Sequence, residues 1–390
     1  MDGQPVKDEN GFTQTDPIAG TSSTQYATLR SLSYLAKLTW LINPDNTLNL
    51  SVYGTPTFSG GGGTYGVNPR DGSVEIANSN SNNILNGSYD ALAHNYVSSA
   101  TDVVVKWSTA FNNKHQLFDA TFGWHHQEEA VNAADGTQLG SGKGLSAVSQ
   151  VFWQRTDPGP HSINDFEASS ATRKACDPAG SPNATLCPVN TYYSGGPGAI
   201  PRAVLDRWQG KGVGTGLFTG LGHHVVKAGI DLEVMRYNSS RGYSGSNIYN
   251  ETTDGTQFQD FRRFGFLVGP DKAVALQQFD AVSRSTTIGG FVQDSWSVLD
   301  RVTLNVGVRY DAQLLYGYDD RLAMSLPNQW SPRIGAIYDF TREGRSKIYA
   351  NFARFYESVP LDAIDRSIPG ERQFYSYHDA SACDPRVVAQ

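Results

Sequence analysis

The sequence predicts an all-β fold: an antiparallel transmembrane β-barrel wall of about ten strands in five hairpins, with long loops on one rim. Three observations carry this. The first is strict alternation. Between Val302 and Tyr310 the even positions are Val302, Leu304, Val306, Val308 and Tyr310, and the odd positions are Thr303, Asn305, Gly307 and Arg309, with Asp311 following. Successive side chains of a strand point to opposite faces, so one face is continuously apolar and the other carries charge. The second is that such segments come in pairs. Turns inside the pairs are short, and connections between pairs are mostly long, an asymmetry expected of the two rims of a membrane barrel. The third is that Trp40, Phe111 and Trp296 all lie within a few residues of a short turn. They form a candidate aromatic girdle at one membrane interface.

The elements follow in order. The first strand is read from Tyr26 to Leu41, with Leu32, Tyr34, Ala36, Leu38 and Trp40 on one face. Asn43-Pro44-Asp45-Asn46 has the composition of a turn. Leu48, Leu50 and Val52 continue the apolar face, and a Gly/Ser/Asn-rich loop including Gly60 to Gly63 follows. In the second pair Val103, Val105, Trp107 and Phe111 lead to a turn at Asn112-Asn113-Lys114-His115, then Phe118, Ala120, Phe122 and Trp124. A long loop holds a possible short strand at Val148 to Trp153. The third pair starts near Leu205, turns at Gly220-Leu221-Gly222-His223 and continues with Val226, Ala228, Ile230, Leu232 and Val234. A polar loop runs to about Ser283. The fourth pair turns near Leu299-Asp300, and the fifth at Thr341-Arg342-Glu343-Gly344, where the alternation is blurred. The organisation expected is a polar loop or tail over residues 1–25, a partial barrel over 26–357, and an extracellular loop or tail over 358–390.

Composition agrees. Only 39% of the 390 residues are hydrophobic, while 11% are aromatic and 18% charged. Mean hydropathy is -0.40. No run approaches the ~18 apolar residues of a membrane helix, yet a barrel needs apolar residues only at every second position. A net charge of -7 argues against a nucleic-acid partner. Three cysteines are too few for a disulfide scaffold. Cys176 and Cys187 bracket a Pro/Asn/Ala loop and could form a local disulfide in an oxidising compartment, the alternative being two free thiols. Cys383 lies in a polar tail. The opening MDGQPVKDENGFTQTDPIAG has no basic or apolar region of a signal peptide and reads as a polar loop.

No catalytic constellation is visible, no cofactor is implied, and the chain is read as not an enzyme. His125-His126 with Glu128-Glu129 suggests a metal site, but neighbours on a strand face opposite ways, so polar surface roles are preferred there and at His223-His224. Gly210-Lys211-Gly212 lacks the spacing of a phosphate-binding loop. Lys106, Lys227, Asp231, Glu233, Arg309 and Asp311 are expected to face the lumen, pairing across strands or touching whatever fills it. Ligand contacts are expected in the loops, where Tyr65, Arg70, Tyr192, Tyr193, Arg241 and Tyr243 are candidates by residue type.

Several segments resemble those of TonB-dependent outer-membrane receptors. Gly222-His223-His224-Val225-Val226-Lys227-Ala228-Gly229-Ile230-Asp231 is similar to the family strand reading Gly-x-His-x-x-Lys-x-Gly-x-Asp. Gln293-Asp294-Ser295-Trp296 and Leu304-Asn305-Val306-Gly307-Val308-Arg309-Tyr310-Asp311 resemble the next pair. Trp330-Ser331-Pro332-Arg333-Ile334-Gly335 and Arg354-Phe355-Tyr356-Glu357 resemble the hairpin after it. The likeness covers residues 222–357 and is nearest to the subgroup with an N-terminal carboxypeptidase-regulatory-like domain. It implies a larger plugged barrel, a Gram-negative outer membrane, lipid around the wall, an unknown small-molecule or oligomeric ligand, and a TonB partner acting through a plug and coupling box not seen here. The chain therefore reads as a middle slice of such a receptor. A passive porin-like barrel and a secreted β-rich binding protein are the rival expectations.

Overall fold

In the computed structural model the described residues are 6–12, 14, 24–74, 86–154, 170, 191–298, 301–317, 320–367 and 371–382. Cys176, Cys187, Cys383 and the turn at Leu299-Asp300 lie outside them.

The main sheet has 13 strands. It opens with β1 (Ala27–Ser31), β2 (Tyr34–Asn43), β3 (Asn46–Gly54) and β4 (Thr57–Ser59), with the two-residue β5 (Tyr65–Gly66) beside β1. It continues through β6 (His94–Phe111), β7 (Gln116–Ala133), β10 (Arg202–Thr219), β11 (His223–Gly242), β15 (Gln278–Val298), β16 (Val302–Tyr316), β17 (Leu322–Asp339) and β18 (Lys347–Ala353). Both β3 and β4 pair with β6, so they are two lengths of one crossing. The break falls at Thr55-Pro56, where proline has no N–H to give the ladder. β1 pairs with β4 and β2 with β3, so they too form one interrupted crossing. The single strand expected from Tyr26 to Leu41 is thus broken at Leu32-Ser33, beside Pro56, whose carbonyl accepts from Leu32 N–H. Counted this way, the wall makes ten antiparallel passes in five hairpins. Among the described residues the sheet is open: β2 pairs with β3 alone, and β18 with β17 alone.

The register makes the two faces explicit. Gly212, Ile230, Gly290, Tyr310 and Trp330 stand side by side across five strands, and so do Gly210, Leu232, Ile288 and Ala312 on four. This face is apolar and open; Ile230 is 73% exposed. On β10 it runs from Trp208 to Phe218. That is about 33 Å along the strand, or about 25 Å of height at a barrel tilt, the thickness of the outer-membrane apolar band. Above it the same face turns polar, with His126 beside Asp206 at 2.9 Å and Arg202 on Glu128 at 2.8 Å.

Aromatics border the short-turn rim. Trp296 Nε1–H donates to Leu221 O at 3.0 Å, and Trp107 Nε1–H to Asn46 Oδ1 at 3.2 Å. Trp40, Phe111 and Phe218 are exposed there. Each ring combines an apolar body with a site beside the headgroups. The turns use local chemistry. Asn43 Oδ1 accepts from Asp45 N–H at 3.0 Å, and Asn112, Asn113 and Lys114 all take positive φ. At Gly222 an added Cβ would lie 2.3 Å from Ser297 O, so only glycine fits that turn.

The long loops hold more structure than their polarity suggested. A second sheet of six strands consists of β8 (Gln150–Gln154), β9 (Thr191–Gly195), β12 (Ile248–Glu251), β13 (Gln257–Gly269), β14 (Lys272–Leu276) and β19 (Glu371–Asp379). The segment read as polar loop to Ser283 therefore contains three strands, and the terminal region contributes a fourth. Short helices α1 (Tyr89–Leu92) and α2 (Leu361–Ser367) lie among the loops. Tyr243 and Phe264 stack at 5.1 Å and pack with Phe279 and Ala281 of β15. Those β15 positions lie on the face opposite the apolar belt, so the loop sheet is seated on the inner side of the wall. Asp71, Asp135, Asp254 and Asp379 each close a loop turn by accepting from the hydroxyl and backbone N–H two residues on.

The two faces predict unequal tolerance. In the complete protein Ile230→Arg is expected to cost about 2–4 kcal/mol of assembly stability, as an arginine at the bilayer midplane does. Asn305→Arg, on the other face, is expected to leave the heat-modifiable folded band unchanged. Equal loss in both variants would contradict the assignment of faces.

Candidate functional site

The inner face holds the charges. Asp231 on β11, Gly289 on β15 and Asp311 on β16 lie in one row, and Arg309 is two residues from Asp311. Arg309 reaches across β15 to Asp231, with Nη1 to Oδ1 at 2.8 Å and Nη2 to Oδ2 at 2.9 Å. It also holds Asp311, through Nε at 2.8 Å and Nη2 at 2.6 Å. One planar guanidinium thus ties β16 to β11 over the intervening β15, a geometry that lysine could not supply. Gly289 permits it. A Cβ there would sit 2.4 Å from Arg309 Nη2, 2.7 Å from Asp311 Oδ1 and 2.8 Å from Asp231 Oδ2.

Other charged side chains extend this face. Lys106 pairs with Asp119 at 3.2 Å, and Ser108 Oγ donates to the same carboxylate at 2.5 Å. Lys227 stands opposite Thr215 and Gln293, and Glu233 opposite Gln209 and Thr287. Lys211 and Arg333 were not singled out from sequence, yet with Gln293 and Arg309 they line a cavity of about 260 Å³ over Phe291. The parity that selects Asp231 reaches Lys211, its direct partner across β10 and β11. Arg333 stands opposite Gly307 in an unbroken stretch of β16 and β17, on the parity opposite Ile334.

The histidine pairs separate by face. His125 meets Asp102 at 2.9 Å on the inner side, while His126 meets Asp206 on the outer side. His224 bonds Asp294 at 2.7 Å and stacks on Trp296 at the turn rim. Among the described residues no group of three His, Cys, Asp or Glu side chains has metal-site geometry.

The six loop candidates are not brought together. Tyr65 and Tyr193 are buried in one cluster with Leu92 and Ala134, and Tyr243 in another with Phe264. Their rings build the cores of the loops, as amphipathic aromatics commonly do. Tyr192 packs beside Val151, Trp153, Tyr249 and Phe258. Arg70 pairs with Glu129 at the upper end of β7. Arg241 binds both Asp365 of α2 and Glu371 of β19. Burial pushes the Asp365 carboxyl up, against the pull of Arg241. Exposed aromatics missed from sequence, Tyr375 and Tyr377, lie two apart on β19 with rings 6.2 Å apart.

The charge bridge gives a measurable coupling. In the complete protein a double-mutant cycle of Arg309→Ala and Asp231→Ala is expected to return about 1–3 kcal/mol, the range for a charge-assisted, partly buried pair. Gly289→Val should remove most of it without touching either partner. Coupling below about 0.3 kcal/mol, within the scatter of independent sites, would show that the bridge contributes nothing.

Comparison with known proteins follows the same wall. The chain matches the outer membrane beta barrel domain over residues 71–326. It is 38% identical over 401 residues to the TonB-dependent transporter Oar of Myxococcus xanthus, covering 98% of this chain and 37% of that protein. The chain thus spans little more than a third of the length of this curated relative. Among solved structures, the outer membrane transporter YddB of Escherichia coli superposes with a TM-score of 0.51 at 14% identity, over 95% of this chain and 36% of that one, and so shares the fold. With its lipid-facing belt, charged inner face and inward-seated loops, the chain belongs to the outer-membrane β-barrel domain family, in its TonB-dependent receptor branch, and resides in the outer membrane of a Gram-negative bacterium.

Proposed function

We propose that this chain is part of the wall of a receptor that binds a scarce nutrient, such as a siderophore-like or oligomeric ligand, and admits it with TonB-derived energy. The observation that carries the reading is the inner face: an ion-paired row at Asp231, Arg309 and Asp311 beneath a loop sheet that folds inward. Residues 26–357 would supply wall and loops, and residues 358–390 would belong to an extracellular loop or tail. The free edges of β2 and β18 pair with further strands of a longer protein, since unpaired backbone in hydrocarbon costs several kcal/mol per group. A plug from that longer protein would rest against Lys106, Lys227, Asp231, Glu233, Arg309 and Asp311, and would carry the contact with TonB. Loop residues, Arg70, Tyr192 and the exposed Tyr375 and Tyr377 among them, would meet the ligand first.

Deleting the gene that encodes this chain is expected to abolish uptake of one class among labelled ferric siderophores, cobalamin, oligosaccharides and peptides. In the parent strain that uptake should collapse on adding a protonophore, while surface binding persists. Uptake indifferent to the protonophore would instead make the protein a passive pore.

A further inference from the structure

After β18 the chain does not continue up the wall. Arg354 N–H still donates to Pro332 O at 3.1 Å, but the following residues cross the inner face. The Arg333 guanidinium lies over the Phe355 ring at 5.0 Å. Gln313, fully buried on β16, clamps Val359 from both sides: its Nε2–H donates to Val359 O at 3.0 Å, and Val359 N–H donates to its Oε1 at 2.9 Å. The same amide also donates to Ser285 Oγ on β15 at 3.1 Å. The seven-residue α2 then sets Leu361 and Ile364 on Leu315, beside Leu205, Met235 and Tyr237. Arg241 fastens its far end through Asp365. The segment thus spans from β17 to β10, across β16, β15 and β11, one step above the Arg309 bridge. It roofs a cavity of about 200 Å³ lined by Thr287, Arg309, Asp311, Gln329 and Tyr356.

Two features mark this segment as separable from the wall. A helix of two turns has no stability of its own and holds its shape only while docked. Its attachment is also concentrated in a few groups, the Gln313 amide, the Arg333 guanidinium over Phe355, Leu361 and Ile364 on Leu315, and the Arg241–Asp365 ion pair, in contrast to the continuous ladder beside it. Asp365 Oδ1 is buried without a hydrogen-bond partner among the described residues, so docking leaves a desolvated oxygen that release would return to water.

We propose that Arg354–Ser367 is a strap that closes the upper lumen, latched by Arg241, and that it must leave the wall before solute can reach the Arg309 bridge. This rests on the inner face being a passage, but the test needs neither the ligand nor TonB. In the complete receptor on intact cells, with Cys176, Cys187 and Cys383 replaced by serine, Thr287→Cys is treated with a membrane-impermeant maleimide. Labelling is expected to be slow, and Arg241→Ala should speed it about tenfold by raising the undocked population. Asp365→Asn, which keeps the shape and removes the charge, should do the same and serves if the first variant fails to assemble. Crosslinking Leu315→Cys to Ile364→Cys before adding the maleimide should abolish the acceleration. Rates unchanged by both latch variants, or acceleration that survives the crosslink, would overturn the strap. Absence of energised uptake by the unaltered receptor, with labelling as expected, would instead fault the transport reading alone.

Discussion

The rest of the structure depends on one constraint: inside hydrocarbon, every backbone N–H and C=O must find a partner in the sheet. The ladder from β6 to β17 meets it with paired registers 14 to 20 residues long, such as the unbroken pairing of His223–Gly242 with Ser297–Gln278. Once that ladder is fixed, side-chain direction follows. A slip of one residue would turn Ile230 inward and Asp231 into lipid. The apolar belt, the aromatic rim and the charged inner face are therefore one consequence seen from three directions. Irregularities fall where lipid is absent or a group cannot donate, as at Pro56 between β3 and β4.

Strength on the inner face comes from groups that join strands sideways. Arg309 spans β11, β15 and β16 because Gly289 leaves the middle strand bare. Higher up, neutral groups join the ion pairs of Arg241: the Gln313 amide links Ser285 to Val359, and aromatic stacking seats the loop sheet on β15. The wall thus offers fixed charge at membrane depth and an aromatic-rich layer above it. Such a division suits a receptor whose upper parts meet a ligand and whose lower parts hold a filling domain.

Much of this was legible in the residues. Turns read at Asn43–Asn46, Asn112–His115 and Gly220–His223 fall between the observed strands because alternation stops where Asn, Gly and Asp gather. The parity that separated Val226 to Val234 from Lys227, Asp231 and Glu233 is the parity of the observed register. Of the loop sheet only β8 was legible, as the short strand read at Val148 to Trp153. Four of its strands have only four or five residues, β8 and β12 pair in parallel from segments far apart in the chain, and polar loop composition hides Phe258 and Phe264. The Arg309 bridge was half legible: its residues were chosen by parity, but their meeting depends on Gly289, on the strand between Asp231 and Asp311. Loop tyrosines were chosen by residue type, which does not distinguish an aromatic that meets a ligand from one that packs a loop core, as Tyr65 and Tyr193 do.

The most direct measurement of the central claim is a spin-label accessibility scan from Val225 to Val234 in the complete protein in outer-membrane vesicles. Oxygen, which partitions into lipid, and a water-soluble nickel chelate are used as relaxing agents. Labels at positions 226, 228, 230, 232 and 234 should respond to oxygen, and those at 225, 227, 229, 231 and 233 to the chelate or to neither. Accessibility that does not alternate, or the chelate reaching position 230, would contradict a wall with lipid on one side and a lumen on the other.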